Sequence, residues 1–199
     1  QTSIWSVGSS GEVPWPEGFY YNAEEGLALL AQAGIAPEDL VIQTYVMDSY
    51  KDLYYNISSQ LAKVGITFTP EILPGHVSFT PWMSGDCQFY ITSAAYSDSA
   101  PYRPWMFVLL PEQLIRMVYA DLYDAELYAA MRDTYNAMML SPTWDEMLTN
   151  VKTLTDMVQR DYSAIPGVQS PYYTLVQKDI KGIVMVTEER VLLWYYLYF

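Results

Sequence analysis

Two stretches, Tyr21-Asn22-Ala23-Glu24-Glu25-Gly26-Leu27-Ala28-Leu29-Leu30-Ala31-Gln32-Ala33-Gly34 and Ile57-Ser58-Ser59-Gln60-Leu61-Ala62-Lys63-Val64-Gly65-Ile66, flank the alternating segment Leu40-Val41-Ile42-Gln43-Thr44-Tyr45-Val46. Asn22 has the short side chain that caps a helix, and Glu25, three positions on, completes a capping box. Leu27, Leu30 and Ala31 then share one helical face, and Gly34 supplies the stop. Residues 40–47 alternate as a strand does. Asp48 or Ser49 is the expected cap of a second helix, in which Tyr50, Leu53, Tyr54, Ile57, Leu61 and Val64 recur at three- and four-residue spacing until Gly65. Residues 66–72 alternate again. Two helix–strand units in series predict an α/β layer.

Outward from this stretch the pattern loosens. Residues 1–20 carry Gly8-Ser9-Ser10-Gly11 and Pro14-Trp15-Pro16, and read as an irregular lead-in. Downstream, a short helix is expected over 77–83 with Gly85-Asp86 as its stop, and a strand over 88–95. Residues 96–106 hold Pro101 and Pro104 and are expected to be irregular. Long loops at the C-terminal edge of such a sheet are where ligands are usually met. Residues 124–138 place Leu127, Met131, Tyr135 and Met138 on one side of a helix. Ser141 is expected to cap the last helix, with Pro142 first and Asp145 and Glu146 in its opening turn. Trp144, Leu148, Val151, Leu154 or Thr155, Val158 and Tyr162 would form its apolar face. Extended segments follow over 172–177, 182–186 and 191–199.

Composition excludes several classes. The chain has 199 residues, enough for one sizeable core or for a lobe of a larger protein, and 51% of them are hydrophobic, which a disordered chain is not. A net charge of −13 argues against a nucleic-acid partner, because phosphate binding needs clustered Lys and Arg. The single Cys87 leaves no intrachain disulfide and no paired-cysteine motif. No apolar run has the length of a membrane-spanning helix, and no signal-peptide pattern is present. Residue 1 is Gln rather than Met, so the chain reads as processed or excised.

Chemistry-bearing constellations are sparse. His76 is the one histidine, with no nucleophile motif beside it. Cys87 precedes an apolar strand and reads as a small buried hydrophobe. One His and one Cys make no metal site alone, and no glycine-rich phosphate loop is present. Neither catalysis, a metal nor a cofactor is expected. The loop Tyr96-Ser97-Asp98-Ser99-Ala100-Pro101-Tyr102-Arg103-Pro104-Trp105 is different. One acid, one base and three aromatic rings can clamp an extended ligand, charges at its ends and rings over its side chains. The same rings can instead anchor a long loop to the domain body, and at this level both readings stay open. Trp82 and Tyr90 can join either role.

The order of these segments resembles the C-terminal lobe of the family 5 extracellular solute-binding proteins of ABC transporters, the oligopeptide, dipeptide and nickel type. Residues 21–34 are similar to the family's tyrosine-to-glycine helix, and Gln60 to Ile66 to its second helix end. Gly85-Asp86-Cys87-Gln88-Phe89-Tyr90-Ile91 is similar to a glycine turn and strand. Ala164-Ile165-Pro166 and Asp179-Ile180-Lys181-Gly182-Ile183 are similar to the closing pattern. The likeness spans about residues 19–185. It implies an α/β, periplasmic-binding-protein-like (type II) lobe with a mixed sheet flanked by helices. Residues 1–20 would lead in, 21–165 would form the lobe, and 166–199 would return as closing strands toward the first lobe.

The resemblance also implies a non-enzymatic role: capture of a peptide or similar small solute between two lobes, and delivery to an ABC permease. The implied partners are that solute, the permease and a missing N-terminal lobe. The implied location is the periplasm or, as a lipoprotein, the extracellular face of the cytoplasmic membrane. In the family the loop after the strand at 88–95 often carries an aspartate that pairs with a peptide's amino terminus; here Asp98 stands nearest, with Ser99-Ala100-Pro101 after it. Trp82, Tyr96, Asp98, Tyr102, Arg103 and Trp105 are thus the expected ligand-binding residues. Alternatives are a non-peptide solute (sugar, opine or metal complex) or a non-transport interaction module. The apolar tail Leu192-Leu193-Trp194-Tyr195-Tyr196-Leu197-Tyr198-Phe199 motivates the latter through self-association.

Overall fold

A parallel strand pair organises one part of the computed structural model. The structure describes residues 3–5, 7–15, 21–84, 88–92, 98, 100–103, 105, 125–161, 164–167, 178–179, 181, 185–186 and 191–192, with the side chains of 76, 79, 82–84, 125, 185–186 and 191–192 excepted. The chain divides into two compact units. One comprises Gly18–Ala94 and Leu110–Tyr128; the other comprises Gln1–Glu17, Ala95–Leu109 and Ala129–Phe199.

The unit around Gly18–Ala94 follows the predicted order: α1 (Ala23–Gln32), β1 (Val41–Met47), α2 (Lys51–Ala62), β2 (Thr67–Leu73), α3 (Gly75–Ser84) and β3 (Phe89–Ile91). The strands form one sheet in the order β2-β1-β3, parallel throughout. Seven residues of β1 pair with seven of β2, from Val41 with Thr67 to Met47 with Leu73. A parallel pair cannot be closed by a tight turn, so α2 supplies the crossover. Tyr54 on α2 lies in a core with Val46, Phe68 and Ile91, and Ile42, Leu53, Ile57, Leu61 and Phe89 pack around it. The Tyr54 hydroxyl donates to Phe68 O at 3.1 Å, so its polar end is satisfied inside that core.

Helix ends in this unit follow local chemistry closely. Asn22 Oδ1 accepts from Glu25 N–H at 3.2 Å, the expected N-cap, and the Glu25 carboxylate accepts from Asn22 Nδ2 at 3.1 Å rather than from the Asn22 backbone N–H of a capping box. At the other end Ile35 N–H bonds to Leu30 O, with Gly34 at φ +72°. The end of α2 repeats this: Ile66 N–H bonds to Leu61 O, with Gly65 at φ +89°. The expected Asp48 or Ser49 cap on α2 is not found. A 3-10 turn over Asp48–Tyr50 leads into the helix, and Tyr50 stands at the cap position without a side-chain bond. Local hydrogen bonding of the turn takes the place of the side-chain cap. α3 begins two residues earlier than expected and accommodates Pro81.

The second unit is built on α4 (Ala125–Met139), of which it takes residues from Ala129 onward, and α5 (Trp144–Arg160). Met131, Tyr135 and Met138 of α4 are buried, on the side the spacing predicts. The cap of α5 is Thr143, not Ser141: Thr143 Oγ1 accepts from Glu146 N–H at 3.3 Å and donates to Glu146 Oε2 at 2.8 Å. Ser141 instead closes the preceding helix, its hydroxyl donating to Ala137 O at 2.7 Å. The buried face of α5 is Met147, Val151, Leu154, Thr155, Val158 and Gln159. Trp144 is 48% exposed, because it opens the first turn, one turn short of the stripe that begins at Met147. Strands β4 (Met185–Val186) and β5 (Val191–Leu192) pair antiparallel. Residues 172–177 and 193–199, expected as extended, lie outside the described residues, as do Tyr162 and Cys87.

The two glycine stops give a paired prediction. Both need a left-handed backbone, costing a Cβ-bearing residue about 1 kcal/mol. A Cβ at Gly34 would meet nothing within 4 Å, whereas one at Gly65 would lie 3.2 Å from Pro37 Cβ. Gly34→Ala is therefore expected to cost about 1 kcal/mol and Gly65→Ala clearly more, read as shifts in the urea midpoint at unchanged slope. Equal costs would show that the Pro37 contact is inconsequential.

Candidate functional site

The expected site residues separate in the structure. Trp82 lies on α3, in the unit around Gly18–Ala94, with its side chain outside the described residues. Tyr96 also lies outside them. Asp98, Tyr102, Arg103 and Trp105 belong to the second unit. Tyr90 stays on β3, where its hydroxyl pairs with the buried Ser78 hydroxyl at 2.8 Å.

Residues 100–103 fold as a tight turn. Arg103 N–H donates to Ala100 O at 3.0 Å, and Trp105 N–H to Tyr102 O at 3.1 Å. Pro101 and Trp105 turn inward and are buried, while Asp98, Tyr102 and Arg103 face outward. Trp105 has no exposed surface and meets Trp5 edge to face, ring centroids 5.2 Å apart. Its indole N–H has no hydrogen-bond partner among the described residues. Within this loop the rings divide: Trp105 anchors it to the interior, and Tyr102 is exposed together with Asp98 and Arg103.

What Trp105 packs on is the part the sequence does not announce. Residues 3–5 and 7–15, part of the 1–20 segment expected as an irregular lead-in, form a strap held against α5 by buried polar groups. Trp5 is buried, and its Nε1–H donates to Thr155 Oγ1 at 2.9 Å; Thr155 Oγ1 in turn donates to Val151 O at 2.8 Å. Gln159 uses both ends of its amide. Oε1 accepts from Ile4 N–H at 3.0 Å and Ser3 Oγ at 3.3 Å, and Nε2 donates to Val13 O at 3.1 Å and Pro14 O at 3.3 Å. One fully buried side chain therefore satisfies backbone groups at both ends of the strap. These partners stand about 150 positions from α5 in sequence, so no local signal marks Gln159 as more than a polar helix residue.

At the tip of the strap, Ser10 N–H and Ser10 Oγ–H both donate to Asp98 Oδ1, each at 2.7 Å. Asp98 and Tyr102 thus border two different neighbourhoods, the strap on one hand and a cleft on the other. The cleft is open, about 360 Å³, and lies between Tyr102 and the turn joining α4 to α5, with Met138, Met139, Trp144 and Met147 in its lining. Methionine side chains adapt to apolar shapes, which suits a surface that accepts varied apolar groups. Titration adds little: burial raises the Tyr135 phenol above its ordinary pKa, and the hydrogen bond and charge of Asp156, 2.7 Å from Arg160 Nε, raise the Arg160 guanidinium. Among the described residues no group of His, Cys, Asp and Glu could hold a metal ion, and no helix is long and apolar enough to cross a membrane.

Replacement of Gln159 by Leu tests the strap. It would strand Ile4 N–H and the Val13 and Pro14 carbonyls, at about 1–3 kcal/mol per buried group. We expect at least about 2 kcal/mol of destabilisation by chemical denaturation, and rapid proteolysis within residues 3–15. Trp5→Phe, which keeps most of the ring packing and removes one N–H, should cost about 1 kcal/mol. A Gln159→Leu protein as stable as the parent would show that these bonds contribute nothing net.

Comparisons with known proteins enter here. No family model and no curated protein sequence matches the chain. Solved structures do. HbpA2 from Haemophilus parasuis is similar over 100% of this chain and 39% of its own, at TM-score 0.77 and 15% identity. NikA from Brucella suis, solved with Fe(III)-EDTA, is similar over 81% of this chain and 34% of its own, at TM-score 0.64 and 14% identity. DppA from Helicobacter pylori, an ABC transporter-associated periplasmic binding protein solved with the peptide STSA, is similar over 81% of this chain and 31% of its own, at TM-score 0.61 and 14% identity. The chain therefore spans about a third of the length of these proteins. Over that length it has the periplasmic-binding-protein-like α/β fold of the family 5 solute-binding proteins.

Proposed function

We propose that this chain is the C-terminal part of the substrate-binding component of an ABC importer. It captures a peptide or similar small solute in the cleft between its lobe and an N-terminal lobe, outside the cytoplasmic membrane, and hands it to a permease without chemical change. The likeness over 81% of this chain, at TM-score 0.61, to DppA, an ABC transporter-associated periplasmic binding protein, carries this reading. A fold alone does not name a function, so the residues must carry the rest. Asp98 supplies an outward carboxylate in a loop whose base is locked by Trp105, and Tyr102 stands beside a methionine-lined cleft. A carboxylate in a partly dehydrated cleft forms a strong charge-assisted bond to an ammonium group, which suits a peptide's amino terminus. Arg103, five positions further along the chain, provides the opposite charge for a carboxylate. Trp82 and Tyr96 are proposed to contribute aromatic surface.

NikA holds a metal chelate and DppA a peptide, so the same fold accommodates unlike solutes. A non-peptide ligand would bind without need of Asp98. Native mass spectrometry of the full-length protein identifies what co-purifies. Calorimetry with that solute then compares Asp98→Asn with the parent. For an amine-bearing peptide we expect a loss of affinity of about tenfold or more, the cost of a charge-assisted bond in a dehydrated site. Unchanged affinity removes Asp98 as the anchor and favours a non-peptide solute.

A further inference from the structure

The strap meets the 98–105 loop through a contact whose geometry goes beyond holding two loops together. Both donors of Ser10, the backbone N–H and the hydroxyl, converge on the same oxygen, Asp98 Oδ1, at 2.7 Å each and across 88 positions of sequence. Two short charge-assisted bonds from one residue fix the direction of a carboxylate as one bond cannot. Ser10 is itself fixed. Gly8 N–H donates to Glu12 Oε2 at 2.7 Å, Glu12 N–H donates to Ser9 O at 3.1 Å, and Gly8 takes φ +82°, so the turn bearing Ser10 is closed by its own bonds. Behind the turn, Gln159 holds Ile4, Val13 and Pro14 from the interior. Ser10 is the tip of a brace rooted in the core of its unit.

We propose that Ser10 is the positioning residue for Asp98, holding its carboxylate in a single orientation in which Oδ1 belongs to the protein and Oδ2 receives a ligand's ammonium group. The proposal rests on the reading of Asp98 as an amine anchor and adds what sets the anchor's strength. A carboxylate already oriented by protein donors loses less freedom when the ligand arrives, so the brace contributes affinity without touching the solute. It also sets specificity, because only a ligand with a donor at that point gains from the orientation.

The test uses the full-length protein, its Ser10→Ala, Ser10→Thr and Asp98→Asn variants, and two probes, trialanine and N-acetyl-trialanine, titrated by calorimetry. The acetylated peptide lacks the ammonium, so a merely structural role for Ser10 would affect both probes alike. We expect Ser10→Ala to weaken trialanine about tenfold and to leave the acetylated peptide within about twofold, with Ser10→Thr restoring the parent affinity. In the ligand-free protein, the amides of Ala100, Tyr102 and Arg103 should exchange faster in Ser10→Ala than in the parent or Ser10→Thr. If Asp98→Asn loses trialanine and Ser10→Ala does not, the brace is overturned while the anchor stands. Equal weakening of both probes, or unchanged amide exchange, also overturns it. If Asp98→Asn binds trialanine as the parent does, or the parent binds neither probe, the anchor reading fails and the positioning role falls with it.

Discussion

A parallel pair of strands has no short way home, and the unit around Gly18–Ala94 is shaped by that constraint. β1 and β2 run in the same direction over seven paired residues, so the chain must travel the full length of the sheet between them. α2 makes the journey, and its inner face covers β1, β2 and β3 with Tyr54 at the centre of contact. For the helix to hand over to β2 in register, it must stop at one residue and turn sharply. Gly65 provides that turn, as Gly34 does for α1. Register in a half-buried sheet is unforgiving, since a slip of one residue would exchange Val46 and Phe68 for the neighbours that face away from the core.

The second unit solves a different problem. The described residues of the strap, 3–5 and 7–15, lack regular helix or strand, so their backbone groups need partners from elsewhere if they are to be buried. Gln159 and Thr155 supply them from α5, and Trp5 and Trp105 supply the apolar surface between. A primary amide suits this task because it offers an acceptor and donors a fixed distance apart, and so can serve two strands of a loop at once. The result is an irregular segment tied to α5 at both of its ends. Its tip then reaches the exposed Asp98, which links the interior of this unit to its surface.

Much of the fold was legible because its signals are local. The Asn22–Glu25 cap, the glycine stops and the alternation of residues 41–47 each act within a few positions, and each produced the expected element. The misses are instructive for the same reason. Ser141 and Thr143 are both competent caps two residues apart, and only the bond of Ser141 to Ala137 O decided which helix each serves. Trp144 fits the apolar period of α5, but at the helix's first turn it finds water on one side, while Met147 begins the buried stripe. In the 96–105 loop, aromatic content promised either a clamp or an anchor. Composition could not divide the rings between those roles, because the division depends on Trp5, a residue 100 positions away in the segment expected as an irregular lead-in.

The amino-acid sequence by itself determined both ends of α1, the stop of α2 and the extended runs of β1 and β2, that the α/β order resembles one lobe of a solute-binding protein, and that the chain is strongly acidic. These follow from capping chemistry, hydrophobic period and net charge, which act along the chain. Only the tertiary structure decided that Trp105 is interior and Asp98 is not, that Gln159 binds the start of the chain to its last long helix, and that Ser10 lies on the Asp98 carboxylate. The physical reason is the same in each case. Each depends on which distant segment the packing brings into contact, and sequence distance carries no record of that segment.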